Sequence, residues 1–121
     1  MGNVLAFVDD LFFQTKILET AKQTGVQIEI VKSGEKLLEA ASRDGENRPK
    51  LLLIDLNARA GAIETLERLR KAGNPAPVIA FLSHVQVELA ERARAAGCSE
   101  VMPRSKFSQN LAQILKRTKA E

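Results

Sequence analysis

The sequence has no tryptophan or tyrosine, a single cysteine and only five aromatic residues, all of them phenylalanine. Cys98 alone cannot form an internal disulfide, and the chain opens without the basic start and apolar core of a secretion signal. We therefore expect a reducing, cytoplasmic setting. No apolar run approaches the roughly 20 residues of a membrane helix, which disfavours a membrane protein. A core so poor in aromatic residues has to be built from Leu, Ile, Val and Ala.

The charge of the chain is only mildly unbalanced. The formal net charge is +3, and the basic residues are spread along the sequence. This pattern disfavours nucleic acid as a partner, because nucleic-acid-binding domains concentrate their cations in one patch. A length of 121 residues is typical of one domain. We expect residues 1–121 to form a single domain whose tail frays after about Lys116.

Short apolar runs and helical periodicities alternate five times along the chain. The apolar runs predict strands over residues 4–8, 26–31, 51–54, 78–82 and 100–102. The periodicities predict helices over 11–24, 35–43, 62–72 and 85–96, and a last helix capped by Ser108. Ser33 is a predicted N-cap and Gly25 a predicted C-terminal cap. Alternating strands and helices predict an α/β fold, a doubly wound parallel sheet with helices on both faces.

Polar side chains gather where the predicted strands end. Asp9 and Asp10 follow the first strand, Asp55 the third and Ser83 the fourth. Ligands of open α/β sheets bind at this edge. Clustered carboxylates repel one another unless a cation lies between them, and Mg²⁺ prefers oxygen ligands. A carboxylate beside Mg²⁺ can accept a phosphoryl group. An aspartate at a strand end is also a common helix N-cap, so Asp10 is either a pocket carboxylate or only a cap.

These residues resemble the receiver domain of two-component response regulators over essentially the whole chain. The motifs, in order, are Val-Asp-Asp at 8–10, Leu-Ile-Asp-Leu-Asn at 53–57, Leu-Ser at 82–83 and Ala-Ala-Gly-Cys at 95–98. The resemblance implies a flavodoxin-like sheet of five parallel strands in the order 2-1-3-4-5. It also implies that a sensor histidine kinase or phosphotransfer protein donates a phosphoryl group, and that an unknown downstream protein receives the signal.

The resemblance assigns a role to each site residue. Asp55 matches the phosphoryl acceptor and Ser83 the switch hydroxyl. Asp9, Asp10 and Asp55, with the backbone carbonyl of Asn57, match the ligands of Mg²⁺. The pocket cation of the family falls at Arg104, or at Lys106 if the loop carries an extra residue.

Several positions depart from the family pattern. Arg104 replaces a lysine, although the planar guanidinium is not equivalent to an ammonium. Val101 stands where the family has an aromatic switch residue, and the loop at 57–61 is shortened. His84 follows Ser83, where a small residue is usual; it is either a pocket residue or a surface-loop histidine. These departures predict an atypical receiver with weakened or lost switching.

Three functions remain open at this stage. The first is a stand-alone receiver phosphorylated on Asp55, and the second is a pseudo-receiver that binds partners without phosphorylation. The third, a metal-dependent phosphohydrolase, ranks last because no second acid or base can be placed near Asp55. We therefore expect no enzymatic activity beyond phosphorylation and dephosphorylation of the chain itself. Of Phe12 and Phe13, one is expected in the core and the other on the surface, and Cys98 is expected to be buried or half-buried.

Overall fold

The computed structural model describes residues 3–58, 61–83 and 86–119, in which five strands and five α-helices alternate. The strands are β1 (Val4–Phe7), β2 (Ile28–Val31), β3 (Leu51–Asp55), β4 (Val78–Leu82) and β5 (Glu100–Pro103). The helices are α1 (Leu11–Thr24), α2 (Gly34–Ala41), α3 (Ala62–Lys71), α4 (Val87–Ala95) and α5 (Arg104–Arg117), with a short 3-10 turn at Gly45–Asn47.

All neighbouring strands pair in parallel, in the order β2-β1-β3-β4-β5. The predicted doubly wound sheet with order 2-1-3-4-5 is therefore confirmed. Every residue of β3 and β4 is buried, as expected for apolar strands covered on both faces. The alternating strand β2 lies at an edge and is partly exposed. The sheet thereby brings the carboxyl ends of β1, β3 and β4 side by side in its middle.

Successive side chains of each strand enter opposite layers of the core, as the two-residue period of a strand requires. Leu5 and Phe7 of β1 face the layer formed with α2, α3 and α4, whereas Val4 and Ala6 face the layer formed with α1 and α5. Burial of this apolar surface is the main favourable contribution to folding, at roughly 25 cal/mol per Å². The two layers hold the strand ends, and hence the loops that follow them, in fixed positions.

Three predicted helix caps are confirmed. The Asp10 side chain accepts hydrogen bonds from the backbone N–H groups of Phe12 and Phe13 at the start of α1. Gly25 ends α1 with φ at +74°, a left-handed conformation that glycine adopts without a steric penalty. Ser33 accepts a hydrogen bond from the Lys36 N–H at the start of α2.

The predicted start of the last helix is wrong. Ser108 lies inside α5, which begins four residues earlier, at Arg104. Pro103 precedes the helix in an extended conformation and, with its fixed φ, is compatible with a helix start directly after it. Phe107 is fully buried, so the first turn of α5 is held against the core. This earlier start determines where Arg104 points. Val85, the predicted start of the fourth helix, lies outside the described residues.

The end of the described chain is attached to the body of the fold. The Thr118 carbonyl accepts a hydrogen bond from Lys50 Nζ at 3.2 Å, and Lys119 Nζ donates to the Thr24 carbonyl at 3.0 Å. Residues 120 and 121 of the predicted fraying tail lie outside the described part of the chain. Among the helices described, none combines the length and apolar character needed to cross a bilayer.

Candidate functional site

The predicted site residues occupy the carboxyl edge of the sheet. Asp55 is the last residue of β3 and is only 1% exposed. Asp9 and Asp10 follow β1, and of the two Asp9 is the more exposed. Ser83 comes directly after β4, and Arg104 directly after β5. The parallel topology thus places acidic, hydroxyl and cationic groups around one crevice.

Arg104 joins the two better-buried carboxylates of this crevice. Its Nη1 donates to Asp10 Oδ2 at 3.2 Å, and its Nη2 donates to Asp55 Oδ2 at 2.9 Å. The guanidinium presents several N–H donors in a rigid plane, so it can serve two carboxylates at once. Lys106, the other candidate for the pocket cation, is exposed on α5. The structure therefore places Arg104 in the crevice.

Two phenylalanine rings form the apolar wall beside the Arg104 guanidinium. The guanidinium carbon lies 4.7 Å from the centre of the Phe13 ring and 5.8 Å from that of Phe81. The Phe81 ring stacks in turn on Phe107, with 4.2 Å between ring centres. Contacts of this kind attract a cation and fix its orientation. The sequence did not reveal this wall, because Phe13 and Phe81 come from α1 and β4, and Phe107 behind them comes from α5.

The environment of Asp55 disfavours its ionised form. Burial is the main reason why the pKa of this carboxyl is raised, and the negative charges of Asp9 and Asp10 act in the same direction. The Asn57 backbone N–H, which donates to Asp55 Oδ1 at 2.9 Å, and the Arg104 charge act in the opposite direction. The net effect is a raised pKa, which means that folding disfavours the ionised form of Asp55.

Asp10 is the helix N-cap that the sequence allowed, and it also contacts Arg104. Its Oδ1 caps α1 by accepting from Phe12 and Phe13, and its Oδ2 accepts from Arg104. The pKa of Asp10 is lowered, chiefly by the hydrogen bond from the Phe13 N–H and further by Arg104. Asp10 is therefore a helix cap that also holds the pocket cation.

The Asn57 side chain connects the loops after β3 and β4. Its Oδ1 accepts from the backbone N–H of Ser83 at 2.7 Å and from the Ser83 hydroxyl at 3.1 Å. Its Nδ2 donates to Gln86 Oε1 at 3.0 Å. The family resemblance implies a role only for the backbone carbonyl of Asn57, so the role of this amide was not predicted, although an asparagine two residues after the aspartate was a visible signal. His84, which the sequence leaves open as a pocket residue or a surface-loop histidine, lies outside the described residues.

An arginine side chain lies between the two acidic residues where the sequence predicts a divalent cation. Both oxygens of Asp10 and both oxygens of Asp55 already accept hydrogen bonds. Within residues 3–58, 61–83 and 86–119, no group of three or more His, Cys, Asp or Glu side chains is placed to hold a metal ion. The cation between Asp10 and Asp55 is instead the Arg104 guanidinium. The predicted Mg²⁺ ligands Asp9, Asp10, Asp55 and the Asn57 carbonyl therefore stay a prediction.

Comparisons with known proteins agree on the fold. No family model and no curated protein matches the sequence. Among solved structures, the receiver domain of NtrX from Brucella abortus is 16% identical over 98% of this chain and 99% of that one, with a TM-score of 0.77. The phosphorylated cyanobacterial phytochrome response regulator RcpA is 20% identical over 94% and 88%, with a TM-score of 0.75. The Mn²⁺-bound form of response regulator Rcp1 is 17% identical over 97% and 91%, with a TM-score of 0.71. The structural neighbours are thus receiver domains, and at these identities they establish the fold.

Proposed function

We propose that this chain, whose fold is that of response regulator receiver domains, is a signalling module that acts by contacting another protein. Residues 1–121 form one receiver unit in this proposal, with no enzymatic turnover of a separate substrate. The support is the fold together with the position of Asp55, which lies at the carboxyl end of a central strand and contacts Asn57 and Arg104. A reducing, cytoplasmic setting, in which Cys98 stays a free thiol, belongs to the same proposal.

One observation supports an unphosphorylated over a phosphorylated module: the Arg104 guanidinium hydrogen-bonds to both Asp10 and Asp55. A charge-assisted hydrogen bond from a guanidinium stabilises a carboxylate and makes its oxygen a weaker nucleophile. Here one oxygen of Asp55 accepts from Arg104 and the other from the Asn57 backbone. This favours a pseudo-receiver, an interaction module that binds its partner without phosphorylation of Asp55.

Phosphoryl acceptance by Asp55 is the second candidate, and the choice of residues around Asp55 favours it. A buried carboxylate at the end of a central strand lies beside two further acidic residues, and Ser83 ends the adjacent strand. In this candidate a sensor histidine kinase or phosphotransfer protein supplies the phosphoryl group. The Asp55 oxygen attacks the phosphorus, the bond between phosphorus and the donor's histidine nitrogen breaks, and the imidazole stays on the donor. The Ser83 hydroxyl and a cation from Arg104 or Lys106 contact the product. Arg104 has to release the carboxylate of Asp55 first.

Intact-mass spectrometry after incubation with acetyl phosphate and Mg²⁺ separates the two candidates. We expect wild type to gain no phosphoryl group under conditions that phosphorylate a known receiver domain. The matched variants are Arg104→Lys, which restores the usual cation of the family, and Asp55→Asn, which removes the acceptor. A phosphoryl group that appears on wild type and disappears in Asp55→Asn contradicts the unphosphorylated module and establishes the second candidate.

Partner binding tests the signalling role itself. Once a binding protein is identified, its affinity is measured for wild type and for Asp55→Asn, each with and without acetyl phosphate. We expect affinities within about two-fold of one another, because the proposed contact does not depend on a phosphoryl group. An interaction that requires acetyl phosphate and is lost in Asp55→Asn contradicts this expectation.

A further inference from the structure

We propose that Arg104 takes the place of a divalent cation in the crevice and keeps such cations out, an inference that rests on the unphosphorylated module described above. The guanidinium lies within hydrogen-bonding distance of Asp10 Oδ2 and Asp55 Oδ2. A cation bound between these carboxylates would need the same two oxygens. Arginine and metal therefore compete for one position.

The acidic side chains of the crevice require a compensating positive charge, from either an arginine or a metal ion. Asp55 is almost fully buried, and the charges of Asp9 and Asp10 both act on it. An ionised carboxylate in such a place is destabilising unless a positive charge compensates it. Arg104 supplies that charge from within the chain, so the fold does not depend on an ion from solution. Removal of Arg104 leaves the acidic groups uncompensated and exposes them to cations.

The surroundings of the Arg104 side chain suit a guanidinium group. The side chain is only 29% exposed, and its flat end lies against the Phe13 ring. Pro103 precedes Arg104, and α5 begins at Arg104, so the backbone at this position is fixed. A lysine at this position has neither the planar group that stacks on a ring nor the fork that reaches two carboxylates. We therefore expect Arg104→Lys to exclude divalent cations less effectively than wild type does.

A metal ion that displaced Arg104 would have to break two ion pairs and the contacts with the rings of Phe13 and Phe81. One feature acts the other way: Arg104 Nε is buried and has no hydrogen-bond partner within the described residues. A single unsatisfied donor costs less than two charge-assisted hydrogen bonds contribute. The guanidinium is therefore held in its position despite this unsatisfied donor.

The direct test is Mn²⁺ binding, which is measured by electron paramagnetic resonance of the free ion and by calorimetry. The proteins are wild type, Arg104→Ala, Arg104→Lys and the control Arg68→Ala, which removes a surface ion pair with Glu35. We expect no saturable binding to wild type or to Arg68→Ala. We expect Arg104→Ala to bind one Mn²⁺ with an affinity at least about ten-fold above the upper limit measured for wild type, and the double variant Arg104→Ala/Asp55→Asn to lose most of that gain.

Circular dichroism first establishes whether each variant is folded. If Arg104→Ala is unfolded, Arg104→Lys is compared with wild type in its place. Equal Mn²⁺ affinity of wild type and the folded Arg104 variants overturns the inference, and so does a lack of binding in all of them. Mass spectrometry keeps the two proposals apart. Wild type that binds Mn²⁺ without becoming phosphorylated overturns this inference alone, whereas wild type phosphorylated on Asp55 overturns the unphosphorylated module.

Discussion

The guanidinium of Arg104 lies over the ring of Phe13, with 4.7 Å between the guanidinium carbon and the ring centre. The same ring lies 5.0 Å from that of Phe81 and 5.9 Å from that of Phe107, within the core layer beneath α1 and α5. Phe13 is thus a core residue on one side and a wall of the crevice on the other. Packing of the core and placement of the pocket cation depend on the same side chain.

The neighbouring phenylalanines should differ strongly in their effect on stability. Phe13 is 8% exposed, whereas Phe12 is 92% exposed. We expect Phe13→Ala to lower the free energy of unfolding by about 3–5 kcal/mol, because it leaves a cavity in the core. We expect Phe12→Ala to change it by less than about 0.5 kcal/mol. Urea unfolding followed by circular dichroism measures both values, and similar losses for the two variants would contradict the assignment.

Two substitutions of Asp10 separate its two roles. Asn is as good an N-cap as Asp, so Asp10→Asn should lose the charge facing Arg104 and keep the cap of α1. Asp10→Ala should lose both. We expect the alanine variant to be less stable than the asparagine variant by about 1 kcal/mol in urea unfolding. Equal stability of the two variants would show that the hydrogen bonds to Phe12 and Phe13 contribute nothing measurable.

The order of elements was readable from the sequence because apolar patterning is local. The continuous run at 51–54 became the fully buried β3, and the alternating run at 26–31 became the edge strand β2. The sequence predicts the ends of helices and strands less accurately than their order. Ser108 looked like a helix N-cap, yet the helix begins after Pro103, because a proline with fixed φ and a buried Phe107 outweigh a hydroxyl. A capping residue is a weak signal when a stronger one precedes it.

The site was predictable as a set of positions and not as a set of contacts. Topology brings strand ends together, so Asp10 and Asp55 could be expected at one edge of the sheet. The choice between Arg104 and Lys106 depended on where α5 begins, which the sequence left undecided. The link between the Asn57 amide and Ser83 depends on a side-chain rotamer, which no spacing rule specifies. Contacts between distant segments had to come from the structure.

The thiol of Cys98 should make stability fall in alkaline solution. Burial raises its pKa from 9.0 to about 11. Below pH 9.0 the thiol is neutral in both the folded and the unfolded state, so its contribution is fully present there. As the pH rises towards 11, the unfolded chain ionises first and the contribution is lost. Urea unfolding across this window should show a steeper decline for wild type than for Cys98→Ala, and parallel curves would contradict the prediction.

Asp55→Asn should make the protein more stable at neutral pH. Burial, the main cause, raises the pKa of Asp55 in the folded state above 3.8, so the ionised carboxylate is disfavoured by folding. Below pH 3.8 the carboxyl is neutral in both states and its contribution is fully present. As the pH rises through the raised pKa of the folded state, that contribution is lost. The asparagine avoids this loss, and its amide oxygen still accepts one of the two hydrogen bonds from Arg104 and the Asn57 backbone.

The pH dependence distinguishes this effect from a general change in packing. The stability advantage of Asp55→Asn over wild type should be largest near pH 7 and should shrink as the pH falls through the pKa of the folded-state Asp55. Thermal unfolding at a series of pH values measures it, with Asp44→Asn as the control, because the Asp44 side chain is exposed. An advantage of Asp55→Asn that does not vary with pH would refute the electrostatic explanation. A loss of stability at pH 7 would mean that the ion pair with Arg104 outweighs the burial of the charge, since a buried carboxylate is unfavourable only when its partner does not compensate it.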